Sequence, residues 1–320
     1  LASALLLAGL GFVAAPAHAD NVPPVQDTPY APGTLSIHVD ATDVAQRIFR
    51  VQETIPAAAG PLTLLYPQWI PGNHSPTGPI DKFAGLTVKA NGKVIEWTRD
   101  PLNVYAFHIN VPEGASAVDV EFQFLSSQGG RQGRVMMTPE MLSLQWDKVS
   151  VYPAGHNIRQ ITAKASVTLP AGWQAATALH VASKNGDTIS YEPITYNALV
   201  DSPLLAGKYY KQFELNPGAS VPVRMNLFAD APKNLDFKPE LIKPYRELVQ
   251  QMYKLYGAHH YNHYDFLVSL SDKLGGIGLE HHRSSEDGVS ADYFTDPKKN
   301  VFARDLFSHE YNHSWDGKYR

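Results

Sequence analysis

From residue 34 to about 227 the chain holds no single pattern long enough to build a helix. Short segments rich in Val, Ile, Thr and aromatic residues follow one another at 34–40, 47–55, 62–67, 86–90, 94–98, 104–111, 118–125, 161–169, 188–191, 209–215 and 221–227. Most alternate apolar and polar residues, which puts successive side chains on opposite faces, the period of a strand. Proline and glycine, 24 and 23 of the 320 residues, cut the segments short. Asn91-Gly92 marks a two-residue hairpin, because both central positions of that turn need positive φ. Many short strands predict an all-β sandwich or a large bent sheet.

The pattern changes near Ala231-Pro232. Leu241, Tyr245, Leu248, Met252 and Leu255 or Tyr256 recur at helical spacing. Pro239 and Pro244 fit only the start of a helix, so the regular part begins near Pro244 and stops at Gly257. Residues 266–270 and 277–282 read as strands. Residues 301–315 read as a helix, with Asn300 as its cap. The expected class is therefore α+β and multi-domain: a β domain over 20–230, then the first part of an α/β domain over 231–320.

Composition removes several kinds of chemistry. The chain has no cysteine, so a metal site must use His, Asp or Glu. A net charge of −4 gives no nucleic-acid footprint. Residues 1–15 are almost all apolar or small and lead through Pro16 to Ala17-His18-Ala19. That pattern predicts a signal peptide over 1–19, with its basic n-region missing, and a mature chain from Asp20. A membrane anchor is the rival, but the run is shorter than the ~20 residues a span needs. The expected place is secreted or periplasmic, without stable membrane insertion.

The chemistry concentrates in His309-Glu310-Tyr311-Asn312-His313. On a helix, positions i and i+4 share a face, so His309 and His313 can both offer a ring nitrogen to one Zn²⁺. Glu310 lies beside them and can take a proton from water. Phe302 and Leu306 extend the stripe of the two histidines, which opposes a surface helix with two solvated rings. With 13 His in 320 residues, the motif arises by chance roughly 0.02 times. A catalytic zinc usually takes three protein ligands, and only two are visible. The third is expected beyond Arg320 or at a remote residue.

A second constellation is Gly275-Gly276-Ile277-Gly278-Leu279-Glu280-His281-His282. In an extended strand, Gly278, Glu280 and His282 would face one side, and Leu279 and His281 the other. Gly278 would let a substrate backbone approach, and Glu280 could bind a free α-ammonium. An ordinary strand after a glycine turn would look the same.

These segments resemble the glycyl-aminopeptidase family of gluzincin zinc metallopeptidases. Gly278-Leu279-Glu280-His281 is similar to the family's Gly-Leu-Glu-His. Ser308 to Trp315, with Lys318, resembles its His-Glu-x-x-His-x-Trp region. Pro67-Gln68-Trp69-Ile70-Pro71-Gly72 resembles its Trp-x-Pro-Gly segment, and Asp201-Ser202-Pro203 its Asp-Ser-Pro. The resemblance implies an N-terminal β domain, a thermolysin-like catalytic domain and a C-terminal PDZ domain. It implies His309 and His313 as zinc ligands, Glu310 as general base and Glu280 at the substrate's amino terminus. The substrate would be a peptide with a free N-terminus, and the family name suggests small residues such as glycine. The third ligand, a glutamate on a following helix, and an oxyanion-stabilising tyrosine would lie downstream. Two positions depart from the family: Ile277 replaces a second glycine, and Asp316-Gly317 replaces Asn-Val. The glycine is expected to end the helix early.

Other signals are weaker. A zinc endopeptidase could use the same helix, and a β-domain binding module could carry a degenerate site. His259-His260-Tyr261-Asn262-His263 could bind metal at a surface, but a polar turn after a helix explains it. Trp69, Trp97, Trp146 and Trp173 are expected in the core rather than stacking on sugar. Ser284-Ser285-Glu286-Asp287 reads as a solvated loop.

Overall fold

A computed structural model describes residues 21–69 and 72–319. The expected signal segment, 1–19, lies outside them. The described chain is mostly β-sheet with few helices. Among the described residues no helix is long and apolar enough to cross a membrane.

The β unit is built around a nine-stranded sheet. Its central strands Thr162–Thr168, Leu35–Asp40, Ile48–Pro56, Ala117–Leu125 and Phe83–Ala90 are hydrogen-bonded in that order. Alternation holds along them: Val118, Val120, Phe122 and Phe124 are buried while their neighbours are more exposed. A four-stranded sheet (Tyr152–Pro153, Gly60–Leu65, Ala106–Val111, Trp97–Arg99) shares the same apolar core. Asn91 and Gly92 turn at φ 50° and 74°, as the hairpin requires. The segment expected at 94–98 divides. Lys93–Ile95 pairs with the large sheet and Trp97–Arg99 with the small one, so Glu96 is where the chain changes layers.

The second unit begins earlier than expected. Tyr210–Glu214 and Val223–Ala229 pair with each other, and the latter runs parallel to Tyr264–Leu270. Ser284–Val289 and Gly278–Glu280 complete a five-stranded mixed sheet. Its apolar core starts at Leu215, whereas the β unit's core ends at Ala206. The break between cores therefore falls near Gly207, ahead of the boundary expected near 230. Every residue of Tyr264–Leu270 is buried, which suits a strand covered on both faces. The helix Lys243–Tyr256 packs Tyr245, Val249 and Met252 inward and ends at Gly257 with φ 70°.

Ser284–Val289 corrects the expected solvated loop. Ser284, Ser285, Glu286 and Asp287 are all buried, and for Glu286 partners distant in sequence satisfy the carboxylate. Glu286 accepts from Arg134 at 2.9 Å, Ser143 at 2.6 Å and Gln145 at 2.6 Å, all three from the β unit. His281 stands 3.6 Å from Glu286 on one side and 3.2 Å from Asp201 on the other. Asp201 also accepts from the His282 backbone at 2.8 Å and from Lys318 at 3.0 Å. Met141, Ala176, Leu205, Phe228, Leu267 and Leu274 form an apolar patch beside this seam.

Burial alone would raise the Glu286 and Asp201 carboxyls. Arg134 and His281 outweigh it at Glu286, and His281, His282 and Lys318 outweigh it at Asp201, so both titrate well below their ordinary range. Burial alone would lower His281, but Asp201 and Glu286 lift it above its usual value. The stability these carboxylates contribute is present above the ordinary carboxylate pKa and is lost as pH falls through their depressed values. The His281 contribution is present below the ordinary histidine pKa and is lost as pH rises through its raised value. Removing one partner of a buried ion pair costs about 3–5 kcal/mol. Glu286→Gln should lower the unfolding free energy by about that amount. Urea titration checks this, and an unchanged midpoint would contradict the seam.

Candidate metal centre and substrate cleft

The motif helix is shorter than expected. Its α-helical part is Leu306–Asn312, after a single 3-10 turn at Val301–Ala303. Phe302 is 96% exposed, so the expected apolar stripe begins at Leu306 instead. Asn300 does not cap the helix. Its side chain instead accepts from Ser290 at 2.7 Å and donates to Asp292 at 3.1 Å and to the Asp296 carbonyl at 3.0 Å.

The short helix is anchored firmly. Phe307 and Tyr311 are buried in the core of the second unit. Trp315 donates to the Ala258 carbonyl at 2.6 Å, and Ser314 to the His282 carbonyl at 3.0 Å. The second bond ties the end of the motif to the end of the strand Gly278–Glu280.

His309 and His313 bring their Nε2 atoms to 3.2 Å. Two nitrogens on a tetrahedral zinc, with bonds of about 2.0–2.1 Å, stand roughly 3.3 Å apart, so the spacing fits one shared ion. The His313 Nδ1–H donates to the Asp316 carbonyl at 2.9 Å, which leaves Nε2 with its lone pair free. Gly317 makes that turn possible. Its φ is +117°, and a Cβ there would sit 3.1 Å from His313 Nδ1. The Asp316-Gly317 departure thus supplies the group that orients His313. The helix itself ends before it, with His313 as C-cap.

Glu310 is buried, and its carboxylate joins the two histidines in one cluster with ligand atoms within 4.8 Å of one another. Desolvation raises its pKa, as does Glu280, while His309 and His313 pull the other way. Gly278 packs directly on it: a Cβ there would fall 2.2 Å from Glu310 Oε1. Glu280 is also buried and electrostatically coupled to Glu310. The strand ends at Glu280, so His282 does not continue its face as expected. His282 turns instead to Asp201, as His281 does.

The β unit also reaches Glu280. Gly72 has φ +75°, and a Cβ there would meet Leu279 Cδ1 at 2.3 Å and Glu280 Oε2 at 3.1 Å. His74 Nε2 stands 3.8 Å from Glu280 Oε1. Gly72 lies in a segment picked out by resemblance, but nothing in the sequence marked His74. Trp69 is 65% exposed rather than in the core, whereas Trp146 and Trp173 are buried. Trp97 is half-buried and packed against the core.

Residues 36–208, more than half of the chain, match the model of the Peptidase M61 N-terminal domain. The chain belongs to that family. The match ends where the core of the β unit ends, so the M61 N-terminal domain and the first packing unit coincide. No curated protein matches this M61 chain in sequence. Among solved structures it resembles an aminopeptidase N family protein from Idiomarina loihiensis, with TM-score 0.71, 18% identity, and 89% of this chain and 48% of that one covered. It also resembles an M1 zinc metallopeptidase from Deinococcus radiodurans, with TM-score 0.51, 13% identity, and 91% and 64% covered. Yeast LTA4 hydrolase aligns with TM-score 0.52, 12% identity, and 89% and 44% covered. The M61 chain thus shares their fold and spans between 44% and 64% of their lengths.

The contact between Gly278 and Glu310 can be tested directly. In Gly278→Ala the new methyl would also meet Leu306 Cδ1 at 2.6 Å, so the Glu310 and Leu306 side chains beside the two histidines must move. Zinc affinity should fall by about 10–100-fold. Equilibrium dialysis with circular dichroism would check it; wild-type affinity in a folded variant would contradict the packing.

Proposed function

We propose that the full-length protein is an exported zinc aminopeptidase that hydrolyses the first peptide bond of peptides with a free N-terminus. The observation that carries the proposal is the pairing of two side-chain sets in one cluster. His309 and His313 hold ring nitrogens at zinc spacing, and Glu280 is coupled to Glu310 beside them. Family membership and the shared fold agree with a peptidase.

Zinc, when bound, supplies a Lewis acid that polarises both water and the scissile carbonyl. The chain's own residues do the rest. His309 and His313 hold the ion, with His313 oriented by the Asp316 carbonyl. The third ligand of the proposal is the glutamate on a following helix that the resemblance implies. Glu310 accepts the proton of the attacking water at its carboxylate and delivers it to the leaving amine. Glu280 binds the substrate's α-ammonium in a charge-assisted contact, and Gly278 lets the substrate backbone lie close. The second unit is proposed to be the first part of a thermolysin-like catalytic domain.

The full-length protein should hydrolyse aminoacyl anilides, and N-acetylation of the substrate should abolish turnover. Glu310→Gln should keep its zinc and lose activity by about 10²–10⁴-fold, the range for a general base. Steady-state kinetics with metal analysis checks both. Equal cleavage of acetylated substrates would make the enzyme an endopeptidase, and unchanged turnover in Glu310→Gln would remove the general base.

A further inference from the structure

A cavity of about 410 Å³ opens between the β unit and the second sheet, lined in part by Thr177, His180, Tyr210, Arg224, Asn262 and His263. His263 is only 7% exposed. Its Nδ1–H donates to Asp265 Oδ2 at 2.8 Å, and Asn226 donates to the other oxygen of Asp265 at 3.0 Å. Arg224 stands 3.9 Å from the same carboxylate and balances its charge. This arrangement fixes the tautomer in which Nε2 carries a lone pair. That Nε2 is buried and has no hydrogen-bond partner among the described residues. A carboxylate behind a histidine whose other nitrogen is unpaired is the usual support of a metal ligand.

The ring of His180, from the β unit, faces His263. Their centroids are 5.1 Å apart and their planes meet at 69°. The rings of His309 and His313 have a similar centroid separation, 4.8 Å, at 85°. Two imidazoles sharing one tetrahedral ion keep their centroids roughly 5 Å apart.

We propose that His180 and His263 form a second site for a zinc-class divalent cation, with water at the remaining positions. Imidazole nitrogens in a cysteine-free site favour such ions over Mg²⁺ or Ca²⁺. With two protein ligands the site binds more weakly than a three-ligand site. It is separate from the motif helix and does not depend on the proposed peptidase activity. Because its ligands come from the two packing units, an ion there staples the β unit to the second sheet and stabilises the folded state by mass action.

The test uses zinc chloride and the full-length protein carrying His309→Ala and His313→Ala. Isothermal titration calorimetry should still find one zinc per chain, and saturating zinc should raise Tm by about 3 °C. Adding His180→Ala, an exposed position that leaves the core intact, should abolish both effects, and His263→Gln should do the same. Absence of zinc binding in the double variant would overturn the proposal. So would binding that survives His180→Ala, which would mark the zinc as adventitious.

Discussion

The buried contact between Glu286 and the β unit governs the geometry of the cleft. A carboxylate in an apolar interior is costly unless charge and hydrogen bonds surround it. Here Arg134, Ser143 and Gln145 supply them from the other packing unit, and His281 and Asp201 continue the chain of contacts. The strand pair 278–289 is therefore held from behind by residues of the M61 N-terminal domain. Only with that back face fixed does the front face present Gly278 and Glu280 to the motif helix at defined distance. The β unit is thus part of the cleft's construction, and its Gly72–His74 segment also touches Glu280 directly.

This dependence explains what was legible in the sequence. The strands of the β unit were visible because period-2 alternation is a local signal, and Asn91-Gly92 declared its turn. His309, Glu310 and His313 were visible because the i, i+4 spacing fixes their geometry within one element. Glu280 came with the strand beside it and with the family resemblance. What local pattern cannot show is satisfaction in trans. Glu286, within Ser284-Ser285-Glu286-Asp287, looks solvated because Arg134 and Gln145 are far away in sequence.

The remaining errors share a second cause, which is that short elements are set by their ends. The stripe through Phe302 suggested a helix from 301, but Asn300 spends its hydrogen bonds on Ser290, Asp292 and Asp296 and leaves the first turn uncapped. At the other end, the Asp316-Gly317 turn replaces a further helical turn and gives His313 its orienting carbonyl. The boundary expected near 230 followed a change in composition. The packing break near Gly207 follows the change of core, and two strands of the second sheet are simply β-rich like the unit before them.

The most direct test of the account is the position of the ion. Anomalous diffraction at the zinc edge, from crystals of the full-length protein, should place a peak about 2.0–2.1 Å from Nε2 of both His309 and His313. The Glu310 carboxylate should lie beside it without ligating. A peak bound by neither histidine, or one coordinated through Glu310 in place of His313, would contradict the proposed centre.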